Sequence, residues 1–160
     1  MKVIFLDVDG VLNEVSTETR SPSGFQGVDD NKIEQLARIV KKTGAVIVLS
    51  STWRYEFMQD EPNSVSPDGE YLVNKLKEHG LEIFGMTDNL GGHIRGKEIY
   101  KWLTNSPEPV SHYVILDDNF FRDFDYYLIT KYWVRTNYLS GGLTKEAANR
   151  AIAILSGREE

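Results

Sequence analysis

Three short apolar runs each stop abruptly at a polar residue: residues 3–6 (Val-Ile-Phe-Leu) at Asp7, residues 45–49 (Ala-Val-Ile-Val-Leu) at Ser50, and residues 113–116 (Tyr-Val-Ile-Leu) at Asp117. Continuous apolar runs of this kind suit strands buried on both faces, whereas a half-exposed strand would alternate. Between the first two runs, Ile33, Leu36, Ala37 and Val40 fall at helical spacing. Asp29 and Asp30 stand where they can cap that helix, and Gly44 where it can close it. Leu72 and Leu76 predict a second helix ended by Gly80, followed by a strand over 81–84. Further along, the pattern predicts a helix over 94–103, one or two strands over 126–134 and a helix over 144–155. Strands alternating with helices imply an α/β fold with a central parallel sheet covered on both faces. Ligands of such sheets sit beyond the carboxyl ends of the strands, where strand order reverses. Asp7, Ser50 and Asp117 are therefore expected to converge.

Residues 13–28 and 58–69, the latter with Pro62 and Pro67, read as surface loops. The first is long enough for a small flap over the site, and neither is long enough for a separate cap domain. The 160 residues fit a single domain over 1–160, and 41% hydrophobic with 26% charged residues is the balance of a self-folding globular chain. Without cysteine there is no thiolate nucleophile and no sulfur ligand, so a metal would be held by oxygen or imidazole, which points to a hard cation. The apolar run at the N-terminus is too short for a signal-peptide core or a membrane span, so the expected location is cytoplasmic with no membrane partner. A net charge of -6 disfavours broad electrostatic capture of nucleic acid but is compatible with a small phosphorylated substrate.

The densest chemistry lies in Asp7-Val8-Asp9-Gly10. Side chains two apart share a direction only while the chain stays extended, so for both carboxylates to serve one substrate the backbone must coil after Asp7, and Gly10 permits that. One carboxylate can attack phosphorus and form an acyl phosphate. The other can protonate the leaving oxygen and later deprotonate water. A calcium loop also opens Asp-x-Asp, but its glycine belongs at the sixth position of a helix-loop-helix, not the fourth position after a strand. Asp117 and Asp118, adjacent acids after an apolar run, repel each other unless a cation or hydrogen bonds compensate. Asp118 also has the position of a helix N-cap before Phe120 and Phe121, and Asp123 is a further acid. After Ser50 and Ser51, Trp53 and Arg54 offer an aromatic surface and a guanidinium to a phosphorylated ligand.

With these motifs in this order, the chain resembles the haloacid dehalogenase (HAD) superfamily, whose phosphatases open with Asp-x-Asp-Gly after the first strand. The resemblance implies a three-layer, Rossmann-like HAD fold with minimal or no cap, and magnesium-dependent phosphomonoester hydrolysis through an aspartyl-phosphate. It makes Asp7 the nucleophile and Asp9 the acid and base. The second motif falls on Ser50, with Ser51 as the alternative hydroxyl and a substrate contact beside Arg54. The third falls on Lys97, with Lys101 a turn later as its alternative. The fourth is Asp117-Asp118. The Mg2+ ligands implied are the Asp7 side chain, the Asp9 backbone carbonyl and Asp117, with Asp118 assisting directly or through water.

Residues 6–13, 49–54 and 142–144 are similar to one branch of the superfamily, the small domains related to phosphatase modules of RNA-repair proteins. That similarity implies a nucleotide or a nucleic-acid terminal phosphate as substrate. The competing class is a non-catalytic or slowly turning over phosphoacceptor of the response-regulator kind, which shares the inventory but places its acidic pair after the first strand and its phosphoacceptor after a later one. A carbon-halogen hydrolase would need neither Asp9 nor the acidic pair.

Overall fold

The structure, a computed structural model, describes residues 1–57 and 65–158. Five strands, β1 (Lys2–Leu6), β2 (Val46–Leu49), β3 (Ile83–Met86), β4 (His112–Asp117) and β5 (Trp133–Arg135), form one wholly parallel sheet in the order β3-β2-β1-β4-β5. The helices are α1 (Asp30–Thr43), α2 (Pro67–Glu78), α3 (Arg95–Thr104), α4 (Asp123–Tyr126) and α5 (Lys145–Leu155), with 3-10 turns at Thr52–Phe57 and Thr130–Tyr132. The chain steps outward from β1 through β2 to β3, then returns to the other side of β1 for β4 and β5. Strand order thus reverses at the boundary between β1 and β4.

Pleating divides the apolar runs between two cores. Ile4, Leu6, Ile47, Leu49, Val114 and Leu116 face a cluster with α1, α2 and α5, while Val3, Phe5, Val48 and Ile115 face Ile99 of α3 and Phe124 of α4. Helices on both faces make three layers and explain why the runs carry no polar alternation. No helix among the described residues is long and apolar enough to cross a membrane.

Local signals hold with instructive exceptions. Gly44 closes α1 in the left-handed conformation (φ 70), its N–H donating to Val40 O, and Thr144 caps α5 by accepting from Ala147 N at 3.2 Å. Asp29 occupies the N-cap of α1 without capping it, because its Oδ2 instead accepts from Thr17 Oγ1 at 2.6 Å and Lys32 Nζ at 2.9 Å. Part of the loop expected over 58–69 is helix: α2 begins at Pro67 behind Ser66, whose hydroxyl accepts from Gly69 N at 3.1 Å. Proline suits a first helical position, where its missing N–H has no intrahelical partner to lose. Residues 58–64 of that expected loop lie outside the described residues. The strand expected over 81–84 runs two residues later, since Leu81 is buried in the turn and its N–H bonds Leu76 O. Of 126–134 only the end is strand. Tyr126 and Leu128 are 79% and 80% exposed, and Leu128 adopts a left-handed turn (φ 57). Their apolar character does not signal burial.

Residues 13–28 lie against the carboxyl side of the sheet as a fastened cover. An antiparallel bridge joins Arg20 to Gln26, Ser23 N donates to Asp68 Oδ1 at 2.9 Å, Val28 N to Tyr71 Oη at 3.2 Å, and Val15 N to Tyr138 O at 2.8 Å.

A buried ion pair joins the turn after β2 to α3, and hydrogen bonds from its guanidinium tie in the loop after β3. Arg54 Nη1 lies 3.0 Å from Glu98 Oε2, and the guanidinium also donates to Ser51 O at 2.7 Å, Thr87 Oγ1 at 2.6 Å and Asp88 O at 2.9 Å. Removing one member of a buried pair strands the other charge, which typically costs about 3–5 kcal/mol. Arg54→Met is therefore expected to lower the urea-unfolding free energy by about that amount. A loss below about 1 kcal/mol, the scale of an exposed pair, would show that the guanidinium is not fixed by Glu98.

Candidate active site

Strand register does the assembling. Leu49, Leu6 and Leu116 are aligned across β2, β1 and β4, so the next residues, Ser50, Asp7 and Asp117, leave three neighbouring strands at the same level. The ladder extends one step further: Asp7 N donates to Leu116 O at 3.0 Å and Ser50 N to Leu6 O at 2.9 Å. This convergence is the one expected at a reversal of strand order. After Asp7 the chain coils, with Val11 N and Leu12 N both donating to Val8 O, so Val8, Val11 and Leu12 are buried while Asp9 emerges exposed. Gly10 makes the turn at φ 82, and a Cβ there would lie 2.3 Å from Asp118 Oδ2. Only glycine fits between that backbone and that carboxylate.

Oxygens of Asp7, Asp117 and Asp118 lie within 4.8 Å of one another. Burial, and then the charge of Asp117, raise the Asp7 pKa well above its ordinary value, against the pull of Arg95. Burial likewise raises Asp117 to about 6, opposed by Arg95 and by the N–H of Asn119, and raises Asp118. Asp117 Oδ1 accepts from Asn119 N at 2.9 Å, yet Oδ2 is buried without a hydrogen-bond partner. Crowded carboxylates with a buried oxygen that makes no hydrogen bond form a donor set that fits a divalent hard cation, which takes oxygen ligands and few of them from protein when it is magnesium. A second acidic group, Asp30, Glu78 and His79, sits at the surface, where Lys75 and His79 already pair with Asp30.

Asp9 belongs to another part of the site. Its Oδ1 accepts from Asn13 Nδ2 at 2.9 Å and its Oδ2 from Trp53 Nε1 at 3.2 Å, so the side chain is held toward the 3-10 turn and outside the three-acid cluster, although its charge adds to burial in raising the Asp118 pKa. Asn13 in turn donates to Gly27 O and accepts from Gly10 N, which ties the cover to the loop after β1. Gly142 and Leu143 brace the same loop: Leu143 N donates to Val11 O at 2.8 Å, and a Cβ on Gly142 would meet Asn13 O at 2.8 Å.

The two serines separate. Ser51 Oγ accepts from Trp53 N at 3.2 Å and begins the 3-10 turn, whereas Ser50 Oγ is buried and has no hydrogen-bond partner. Arg54, expected as a substrate contact, has its guanidinium committed to Glu98, Thr87, Asp88 and Ser51 and is 3% exposed. Lys97, the expected cation, has an exposed side chain, and Lys101 pairs with Asp88 at 2.6 Å on the surface.

The cation facing the acids is Arg95, which residue spacing did not single out. Its Nη1 lies 3.5 Å from Asp117 Oδ2, and its Nε lies 3.3 Å from Glu98 Oε1. Arg54 and Arg95 thus share Glu98, so a line of alternating charge runs from β2 to the acids: Arg54, Glu98, Arg95, Asp117. Arg95 also stacks over Phe121 at 5.0 Å. Residues two apart on a helix point to opposite sides, so Arg95 and Lys97 cannot both face the carboxylates. The signal available in the sequence was Arg95 at the helix start with Glu98 three residues on. Asp123 holds that start from α4, its carboxylate accepting from Gly96 N at 3.0 Å and Lys97 N at 2.8 Å. Asp118 caps no helix, because α4 begins five residues later at Asp123.

No curated protein and no solved structure matches the chain. One family model does, that of the HAD domain in Swiss Army Knife RNA repair proteins, over residues 3–148. That match spans β1 to the first turn of α5, and therefore every residue of the candidate site. The sheet order, the level of Asp7 with Ser50 and Asp117, and the matched model agree: the chain belongs to the family of HAD domains found in Swiss Army Knife RNA repair proteins.

Proposed function

We propose that the chain is a phosphomonoester hydrolase that works through an aspartyl-phosphate on Asp7. The observation that carries this reading is the alignment of Ser50, Asp7 and Asp117 on three adjacent strands, with Asp118 and Arg95 beside them. HAD domains are generally hydrolases of phosphate esters, and the membership supports that reaction class. The substrate class this reading includes is a phosphorylated small molecule or nucleotide, or a nucleic-acid end of the kind an RNA repair protein would meet.

In the first step an Asp7 oxygen attacks phosphorus, the bond from phosphorus to the leaving oxygen breaks, and Asp9, entering as the acid, gives that oxygen its proton. In the second step Asp9, now a carboxylate, takes a proton from water as the water oxygen attacks phosphorus. The bond to Asp7 breaks, inorganic phosphate departs, and Asp9 is again protonated. Asn13 and Trp53 keep Asp9 aimed at the leaving side while it changes charge. Ser50 Oγ, buried and unpaired, offers a hydrogen bond to a phosphoryl oxygen, and Arg95 Nη1, likewise without a hydrogen-bond partner, offers another. Glu98 and Arg54 position Arg95, and Lys97 stays at the surface. Asp7, Asp117 and Asp118 would hold Mg2+, with the Asp9 carbonyl a further ligand by family resemblance. A bound divalent cation supplies positive charge that lets three acids and a phosphate share one site.

In magnesium-containing buffer, wild-type protein is expected to release phosphate from phosphomonoesters, and Asp7→Asn to lose about four orders of magnitude or more in kcat. Arg95→Ala should lose about 10²–10³ in kcat, with a far smaller loss for Lys97→Ala. Undiminished turnover in Asp7→Asn would sink the nucleophile, and a larger loss at Lys97 than at Arg95 would return the cation to Lys97.

A second expectation follows from the raised acids. Because the folded protein keeps protons that the unfolded chain releases, stability of the metal-free protein should fall as pH rises from 3.8, the ordinary value, through about 6, the value for Asp117. Above that pH the ionised acids gain most from a cation, so Mg2+ should raise the melting temperature more at pH 8 than at pH 5. A hundredfold excess over Kd stabilises by about 2.7 kcal/mol. Equal shifts at both pH values, or a larger one at pH 5, would contradict the ligand set.

A further inference from the structure

Asp9 divides the site. On one side are the acids that would hold metal and phosphate, and on the other is a cavity of about 530 Å³ between the cover and the 3-10 turn, with Asp9 in its wall. A proton donor must stand within hydrogen-bond reach of the oxygen it protonates, so the group attached to that oxygen must occupy the space beside Asp9. That space is this cavity, and its volume is in the range of small-molecule sites.

Two features of its wall describe the occupant. Phe25 from the cover and Tyr55 from the turn are 60% and 57% exposed, and Trp53 completes an aromatic lining. Large rings held at a cavity wall in this way suit a flat partner, which they bind face to face or edge to face. The charged residues of the wall are all acidic: Asp9, Glu56 and Asp68, with no Lys or Arg among the described lining residues. These acids are anchored, Glu56 accepting from Ser66 Oγ and Asp68 from Ser23 N, so they cannot swing away from an anion.

Resting on the hydrolase reading above, we infer that this cavity is the leaving-group subsite. It takes a flat ring system with no negative charge of its own, such as a nucleoside or an aryl alcohol, whose single phosphate points past Asp9 to Asp7. A leaving group that brings further phosphodiesters into the cavity meets the carboxylates of Glu56 and Asp68 and is disfavoured. The aromatic rings select shape and the acids select charge.

The test compares kcat/KM for adenosine 5′-monophosphate, p-nitrophenyl phosphate, glycerol phosphate and a 5′-phosphorylated trinucleotide, alongside calorimetric titration of adenosine, which needs no turnover. The two ring monophosphates should exceed glycerol phosphate and the trinucleotide. Phe25→Ala and Tyr55→Ala should each cut the ring-to-glycerol ratio about tenfold, the scale of one lost base-to-aromatic stack. Adenosine should bind the wild type more tightly than either variant. Glu56→Gln should narrow the gap between adenosine monophosphate and the trinucleotide. Hydrolysis of all four substrates with no ring preference, or with ratios that neither aromatic variant changes, would overturn the subsite and leave the hydrolase reading standing. A trinucleotide preferred by wild type would overturn the charge rule. No hydrolysis of any substrate, with adenosine still bound through Phe25 and Tyr55, would sink the hydrolase reading and leave a ring-binding cavity. Absence of both overturns the two together.

Discussion

Everything at the carboxyl edge of the sheet depends on placing like charges side by side. Asp7 and Asp117 leave adjacent strands at one level, and Asp118 is folded back over Gly10. Such a trio is costly, and the protein offsets part of the cost with Arg95, fixed through Glu98 to Arg54 and acting on Asp7 and Asp117, and with Arg135, acting on Asp118. The remaining imbalance is the ground for the cation proposed there. The Arg54–Glu98 pair that braces the strand ends is therefore also the support that sets the cation against the acids.

The fold was legible because buried parallel strands leave a plain signature: apolar runs without alternation, ended by polar residues, with helical spacing between them. The same residues pointed to the carboxyl edge, because a carboxylate ending a hydrophobic strand is expensive without a partner, and the structure does bring Asp7, Ser50 and Asp117 together there. Legibility failed where a residue's type does not determine its partner. Arg54 and Lys97 are the right chemistry at plausible positions, but Arg54 pairs with Glu98, and it is Arg95 that faces Asp117 while Lys97 is exposed. Asp29 could cap α1, yet Thr17 and Lys32 compete for its carboxylate and win. Pro67 looked like a loop residue because proline breaks helix interiors, and it starts α2 because it does not break helix beginnings. Sequence could not distinguish Ser50 from Ser51; in the structure Ser51 Oγ accepts from Trp53 N, whereas Ser50 Oγ is buried without a hydrogen-bond partner.

Residues 13–28 carry a function that composition alone did not reveal. Their polar character marks them as surface chain, but the bonds from Ser23 to Asp68, from Asn13 to Asp9 and from Tyr138 to Gln26 fasten them to α2, the nucleophile loop and the turn before α5. One segment thus holds the Asp9 carboxylate and presents Phe25 to the cavity beside it. Under the proposed reaction, acid position and leaving-group recognition would be joined in this cover of sixteen residues, 13–28.

The central claim is that the phosphoryl group is carried on Asp7. Rapid acid quench during turnover, borohydride reduction of the trapped acyl phosphate to homoserine and peptide mapping test it directly. Homoserine is expected at position 7 and at no other aspartate. Reduction at Asp9 or Asp117, or steady turnover with no reducible acyl phosphate on the protein, would contradict the account.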